Sequence, residues 1–216
     1  MVVLVKGDIE KLIKQDPPLI ENHKLDCIKS ATYNLRIGEE YIKNGSFNKL
    51  NETKNPYLEI PQHDVVIVST YEKINMPTNL VARFGIRLSF VMKGLVLANE
   101  PQIDPGYRGR LFCILYNLSD EPIIVRYKEP FATIEFQETK SDAPAYEDRY
   151  QGADHIFDVV RDKLPKSGLR RLGDEFRDLK NDLLQRMDRL YTLFFTMIAI
   201  IMTILGILIA RLIGLF

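Results

Sequence analysis

The chain has 216 residues, 46% of them apolar, enough for one or two cored domains, and its 29 basic residues are cancelled by 29 acidic ones. With no block of like charge, it lacks the phosphate-neutralising surface of a DNA- or RNA-binding protein. Two cysteines, Cys27 and Cys113, are too few for a disulfide framework, and His23, His63 and His155 are too scattered to suggest a metal cluster. Residues 7–16 read as a short helix with Ile9, Leu12 and Ile13 on one face, Asp8 as its cap and Pro17-Pro18 as its stop. Residues 42–56 read as a polar loop. From about residue 31 to 138 the pattern is short β-rich runs, at 64–70, 79–84, 95–98, 110–116 and 122–127, separated by breakers such as Asn44-Gly45, Pro61, Pro77 and Pro105-Gly106. Many short strands at this spacing predict an all-β barrel or sandwich.

Asn99 to Gly109 (Asn-Glu-Pro-Gln-Ile-Asp-Pro-Gly-Tyr-Arg-Gly) places Asp104 directly before a Pro-Gly turn between two apolar runs. Proline presets φ and glycine accepts the left-handed region, so the chain is expected to reverse there. Asp104 either caps that turn or presents a carboxylate to a cleft.

Beyond Gly152, residues 165–168 look like a linker or helix start. Leu169, Leu172, Phe176, Leu179, Leu183, Met187 and Leu190 then recur at spacings of 3, 4, 3, 4, 4 and 3, close to a coiled-coil seam. A self-associating stalk is favoured over packing on the β domain or lying on a membrane surface. Leu190 to Ala210 is a run of 21 residues without a charge. As a helix it is about 31 Å long, against a hydrocarbon core of roughly 30 Å. Arg211 follows it, while Arg170, Arg171, Arg177, Lys180, Arg186 and Arg189 precede it, so the expectation is a C-terminal anchor with the β domain in the cytoplasm. The expected domains are thus 1–155, a linker and amphipathic helix at 156–189, and an anchor at 190–216.

Several stretches match known motifs. Thr32-Tyr-Asn-Leu-Arg-Ile-Gly38 is followed by Ser69-Thr-Tyr-Glu-Lys-Ile-Asn-Met-Pro77. Arg87-Leu88-Ser89 begins ten residues after Pro77, and Gly94 lies seven after Arg87. Asn99 to Gly109, Tyr116-Asn117, Lys128 to Phe136 and Asp148-Arg-Tyr-Gln-Gly152 complete the series. In order and spacing, residues 1–155 resemble the dCTP deaminase and dUTPase superfamily, in particular its dCTP deaminase-like branch. The resemblance implies a mainly β fold, a dUTPase-like distorted β-barrel (jelly-roll-like). It also implies a homotrimer with deoxynucleotide sites shared between subunits. Arg87, Leu88 and Ser89 would stand at the phosphates. Asn99, Ile103 and Tyr107 of the hairpin would hold base and sugar, and Arg149, Tyr150 and Gln151 would fold over the triphosphate. Magnesium is implied only together with a bound triphosphate.

Departures from the family pattern matter as much. The glutamate that deaminases of this family use to activate water falls, ten residues after Asp104, on Ile114. Isoleucine cannot carry a proton, and such assistance is typically worth about 100- to 10,000-fold. Leu88 replaces a serine, Asn34 an aspartate, and Ala153 a glutamine. Asp104 remains, and in dUTPases the matching aspartate serves the attacking water. The preferred expectation is a membrane-anchored nucleotide binder that has lost deamination and acts as a sensor. The alternatives are a dUTP or dCTP hydrolase using Asp104, and a trimeric scaffold whose pocket Leu88 and Ile114 fill.

Overall fold

The structure is a computed structural model that describes residues 2–99, 102–160 and 168–212. Glu100 and Pro101 of the hairpin motif, and residues 165–167 of the expected linker, lie outside the described residues. The chain forms two compact units, Met1–Gly168 and Leu169–Phe216.

The first unit opens with α1 (Lys6–Ile13), which starts earlier and ends sooner than expected. Val5 is its N-cap, and Asp8, at the third helical position rather than at the cap, accepts from the Val5 backbone N–H at 3.4 Å. The strands follow in order: β1 (Ile20–Glu21), β2 (Tyr33–Lys43), β3 (Ser46–Lys49), β4 (Tyr57–Ile60), β5 (Val65–Asn75) and β6 (Leu80–Ile86). After α2 (Leu88–Val91) come β7 (Leu95–Leu97), β8 (Gln102–Ile103), β9 (Arg108–Asn117), β10 (Ile123–Arg126) and β11 (Pro130–Glu138), and then α3 (Ile156–Val159). The expected polar loop at 42–56 is half hairpin. Asn44 and Gly45, with φ of 54° and 73°, make a two-residue turn that pairs Lys43 with Ser46, because two positive φ values match the twist of the flanking strands.

Among the described residues, nine strands share one curled sheet, in the order β7-β9-β5-β2-β11-β6-β8 with β1 on β5 and β3 on β2, while β4 and β10 form a separate ribbon. Its inner face buries Tyr33, Leu35 and Ile37 of β2, Val68 and Ile74 of β5, Cys113 and Leu115 of β9, and Phe131, Ile134 and Phe136 of β11. Each large apolar side chain so buried contributes about 1.5–3 kcal/mol.

The outer face of β2-β5-β9 has its own apolar cluster. Ile42 pairs with Ile67, and Ile67 with Ile114, so three isoleucines stand side by side across the strands. Ile156 of α3 is fully buried on this ladder, and Phe47, Phe112 and Val160 pack around it. Residues 156–160, expected to begin the linker, therefore belong to the β unit.

The second unit is one helix, α4 (Gly168–Leu212). It is continuous through Leu190, where the sequence suggested a boundary, and it carries a run long and apolar enough to cross a membrane.

Candidate functional site

A cleft of about 370 Å³ opens between the end of β6, the Gln102–Tyr107 hairpin, the outer face of β9 and the segment after α3. Its lining includes the polar side chains of Asn99, Gln102, Asp104, Tyr107, Tyr146 and Tyr150 and the apolar ones of Ile67, Phe112, Ile114, Val159 and Val160.

The hairpin is built as its sequence dictates. Tyr107 N donates to Asp104 O at 3.3 Å, with Pro105 and Gly106 at the corner and Gly106 at φ 78°, as a type II turn requires. A Cβ on Gly106 would also lie 2.6 Å from that of Ala145, so only glycine lets the later segment pass so close. Asp104 is exposed at the cleft, and its Oδ1 accepts from Gln102 Nε2 at 3.0 Å. It is the one carboxylate among the described lining residues. Ile103 is buried and pairs with Ala82.

Asn99 uses its amide on the protein. Oδ1 accepts from Ile114 N at 2.9 Å, and Nδ2 donates to Phe112 O at 3.2 Å, so the side chain extends the β7 pairing on to β9. Tyr107 is buried, donates to Arg110 O at 2.6 Å and meets Tyr146 edge-on at 5.6 Å. Its phenol is held well above its ordinary range, chiefly by burial and then by neighbouring Tyr146 and Asp154, so it acts only as a neutral group.

The segment from Ala143 to Val160 straps the hairpin to β9. Tyr146 N donates to Pro105 O at 2.8 Å. Gln151 donates from Nε2 to Gly106 O at 2.9 Å and to Tyr146 O at 3.0 Å, and its Oε1 accepts from Arg108 N at 2.8 Å. Gly109 and Ala153 form a bridge, and Lys73 Nζ meets Asp154 Oδ2 at 2.6 Å. Buried Glu40 then clasps the start of α3, accepting from Ile156 N at 2.9 Å and facing His155 Nδ1 at 3.0 Å and Lys49 Nζ at 3.4 Å. Burial pushes the Glu40 carboxyl up, but these bonds outweigh it and hold the group below its ordinary value.

Of the residues the sequence singled out, Asn99, Ile103, Asp104, Tyr107 and Tyr150 line the cleft; Arg87, Leu88, Ser89, Arg149 and Gln151 do not. Arg87 precedes α2 and donates from Nη1 to Pro130 O at 3.0 Å. Ser89 is exposed on α2. Leu88, expected as a possible filling of the pocket, is 72% exposed on α2, so in this chain only Ile114 of that pair lines the cleft. Arg149 stacks its guanidinium 4.5 Å over the Tyr150 ring and donates to its hydroxyl. Asn34 is buried on β2 opposite Thr133 and is not among the cleft residues. Among the described lining residues, Asp104 is the one carboxylate that would meet a triphosphate-borne magnesium.

The sequence reading missed Tyr146, Gln102, Val159 and Val160 at the cleft, and a buried ion pair of Arg36 with Glu72 in the interior. Glu72, fully buried, accepts from Arg36 Nε at 2.6 Å, Arg36 N at 2.9 Å and Tyr33 Oη at 3.0 Å. Its signal was a lone carboxylate within a β-rich run, two residues before Ile74 of β5, in the stretch Ser-Thr-Tyr-Glu-Lys-Ile. A wider depression of about 940 Å³ lies over the β4–β10 ribbon, but Lys128 and Glu52 pair within it at 2.7 Å.

Comparison with known proteins agrees with this architecture. Over 141 residues the chain is 34% identical to the dCTP deaminase of Pyrococcus abyssi, covering 64% of this chain and 88% of that one. Over 149 residues it is 32% identical to that of Pyrococcus furiosus, covering 68% and 92%. The solved 2'-deoxycytidine 5'-triphosphate deaminase of Agrobacterium tumefaciens superposes with a TM-score of 0.55 at 17% identity over 63% of this chain, which spans about half (48%) of that longer one; this shows the shared fold. The dCTP deaminase-like family profile matches residues 3–139, from the approach to α1 to the end of β11, and the chain belongs to that family.

Proposed function

We propose that the chain binds a pyrimidine deoxynucleotide in the Asp104 cleft without deaminating it. The observation that carries this reading is Ile114. At the position where the family resemblance calls for a glutamate, it is the third rung of an isoleucine ladder packed under Ile156 and Val160. No proton carrier stands at position 114, and Asp104 is the one carboxylate among the described lining residues. The polar lining side chains offer hydroxyls and amides for base and sugar, while the apolar ones exclude water from the ring. In this reading the protein is a homotrimer. Arg87 and Ser89, outside the cleft of their own chain, complete a neighbour's site at the phosphates, and Arg149, Tyr150 and Gln151 close over them. Residues 190–210 anchor the assembly in a bilayer with the β domain in the cytoplasm. The strap that lines the cleft precedes α4 in sequence, which suits a sensor whose ligand shifts a conformational equilibrium.

The test is titration of the full-length protein in detergent with dCTP, dUTP and dTTP, with and without magnesium, beside assays for ammonia and pyrophosphate. Saturable binding without ammonia is expected. Ammonia release from dCTP would overturn the loss of deamination; no binding to any of the three would overturn the ligand class.

A second reading, hydrolysis of dUTP or dCTP, is favoured by the exposed Asp104 carboxylate at the cleft. It requires pyrophosphate release that disappears in Asp104→Asn.

A further inference from the structure

From α4 we infer that the helix docks in parallel, in register, on a second copy of itself through Leu172, Phe176, Leu179, Leu183 and Leu190. Each of these side chains is more than half exposed. They fall at the two inward positions of a seven-residue repeat, which for a solitary helix leaves an apolar strip in water. The inference rests on the reading of 190–210 as a membrane span. Three observations select the occupant.

Continuity comes first. α4 is one helix from Gly168 to Leu212, so the amphipathic part shares the axis of the apolar run. If that run crosses a bilayer, the preceding turns project from the membrane and do not lie on it. Direction follows, because copies anchored from the same side must run parallel. Charge is the third. With Leu172 and Phe176 as inward positions, Glu175 and Lys180 flank the strip on opposite sides, five residues apart. In a parallel, in-register pair, Glu175 of one helix faces Lys180 of the other. Glu175 also meets Arg171 of its own helix at 3.7 Å, but both side chains are well exposed and free to exchange partners. Arg186, the one charge at an inward position, is met by Asp182 at 2.9 Å, which offsets its charge where it enters the seam.

The test is a cysteine scan of the full-length protein in native-like membranes. Cys27 and Cys113 are buried, so they stay silent under mild oxidation. Single cysteines at 172, 176, 179 and 183 are expected to form same-position disulfides, and cysteines at 174, 178 and 181 to form few. Lys180→Glu should lower the yield at 179 by about two- to five-fold, and adding Glu175→Lys should restore it. Equal yields on every face, none on any, or no charge-swap rescue would overturn the inference. Carbonate extraction and nucleotide titration on the same protein separate the outcomes. Loss of the disulfide pattern in a protein that stays in the membrane and binds nucleotide refutes only the stalk, whereas recovery in the soluble fraction refutes the anchor reading and this inference with it.

Discussion

Ile114 of β9 stands directly across from Ile67 of β5, and both pack under the segment Ile156–Val160. A carboxylate at this position would have to displace apolar contacts with Ile67 and with Ile156 and Val160. Ile114→Glu is therefore expected to lower the stability of the β unit by about 1–3 kcal/mol, against about 0.5–1.5 kcal/mol for Ile114→Val. Hydrogen exchange at residues 156–160 should quicken in the glutamate variant. Denaturant unfolding and exchange mass spectrometry read both effects, and an unchanged exchange rate would mean that Ile114 does not seat the segment.

Glu72 and Arg36 join two of the motifs in the interior. Burial works against the guanidinium charge, but Glu72's hydrogen bond and charge outweigh it and raise the Arg36 pKa. Glu72→Ala leaves that charge and the Tyr33 hydroxyl buried without their acceptor, at a cost of about 3–5 kcal/mol. The midpoint of chemical denaturation should fall accordingly. A shift of only a few tenths of a kcal/mol would show that water replaces the carboxylate.

Glu40 makes the seating of α3 pH-dependent. Its carboxyl is held below the ordinary value of 4.5 in the folded chain. A group with a depressed folded pKa contributes stability that is complete above its unfolded pKa and lost as pH falls through the folded one. Protection of residues 155–160 should thus be constant near neutrality and decline below about pH 4.5. Glu40→Gln should weaken protection at neutral pH and flatten this acid dependence. Equal acid sensitivity in both proteins would place the titrating group elsewhere.

The strands were legible because short apolar runs, Val65–Val68 in β5 and Leu111–Tyr116 in β9, stand between turn residues. The polar hairpin strand β3 was not, since Ser46-Phe-Asn-Lys49 has one apolar residue and depends on pairing with β2. The hairpin motif led directly to Asp104 and its type II turn. The strap was invisible for a different reason: Gln151 bonds to Gly106 and Arg108, and Ile156 is held by Glu40, partners 43 to 116 residues away in sequence. No local pattern encodes such contacts. Motif order likewise does not reveal that Arg87, Leu88 and Ser89 lie outside the cleft of their own chain.

That separation gives the proposed trimer its sharpest test. If Arg87 serves a neighbour's phosphates while Asp104 serves its own cleft, Arg87→Ala and Asp104→Asn homo-oligomers each contain only damaged sites. Oligomers mixed from the two must contain some sites with both residues intact. Arg87→Ala should weaken triphosphate binding about 10- to 100-fold, the loss of one charge-assisted pair of roughly 1.5–3 kcal/mol. If Asp104→Asn also weakens binding, mixing should recover tight sites in a statistical fraction of the clefts, seen as a high-affinity phase in the titration. Failure to recover any, in oligomers shown by mass to be mixed, would place both residues in the service of one chain.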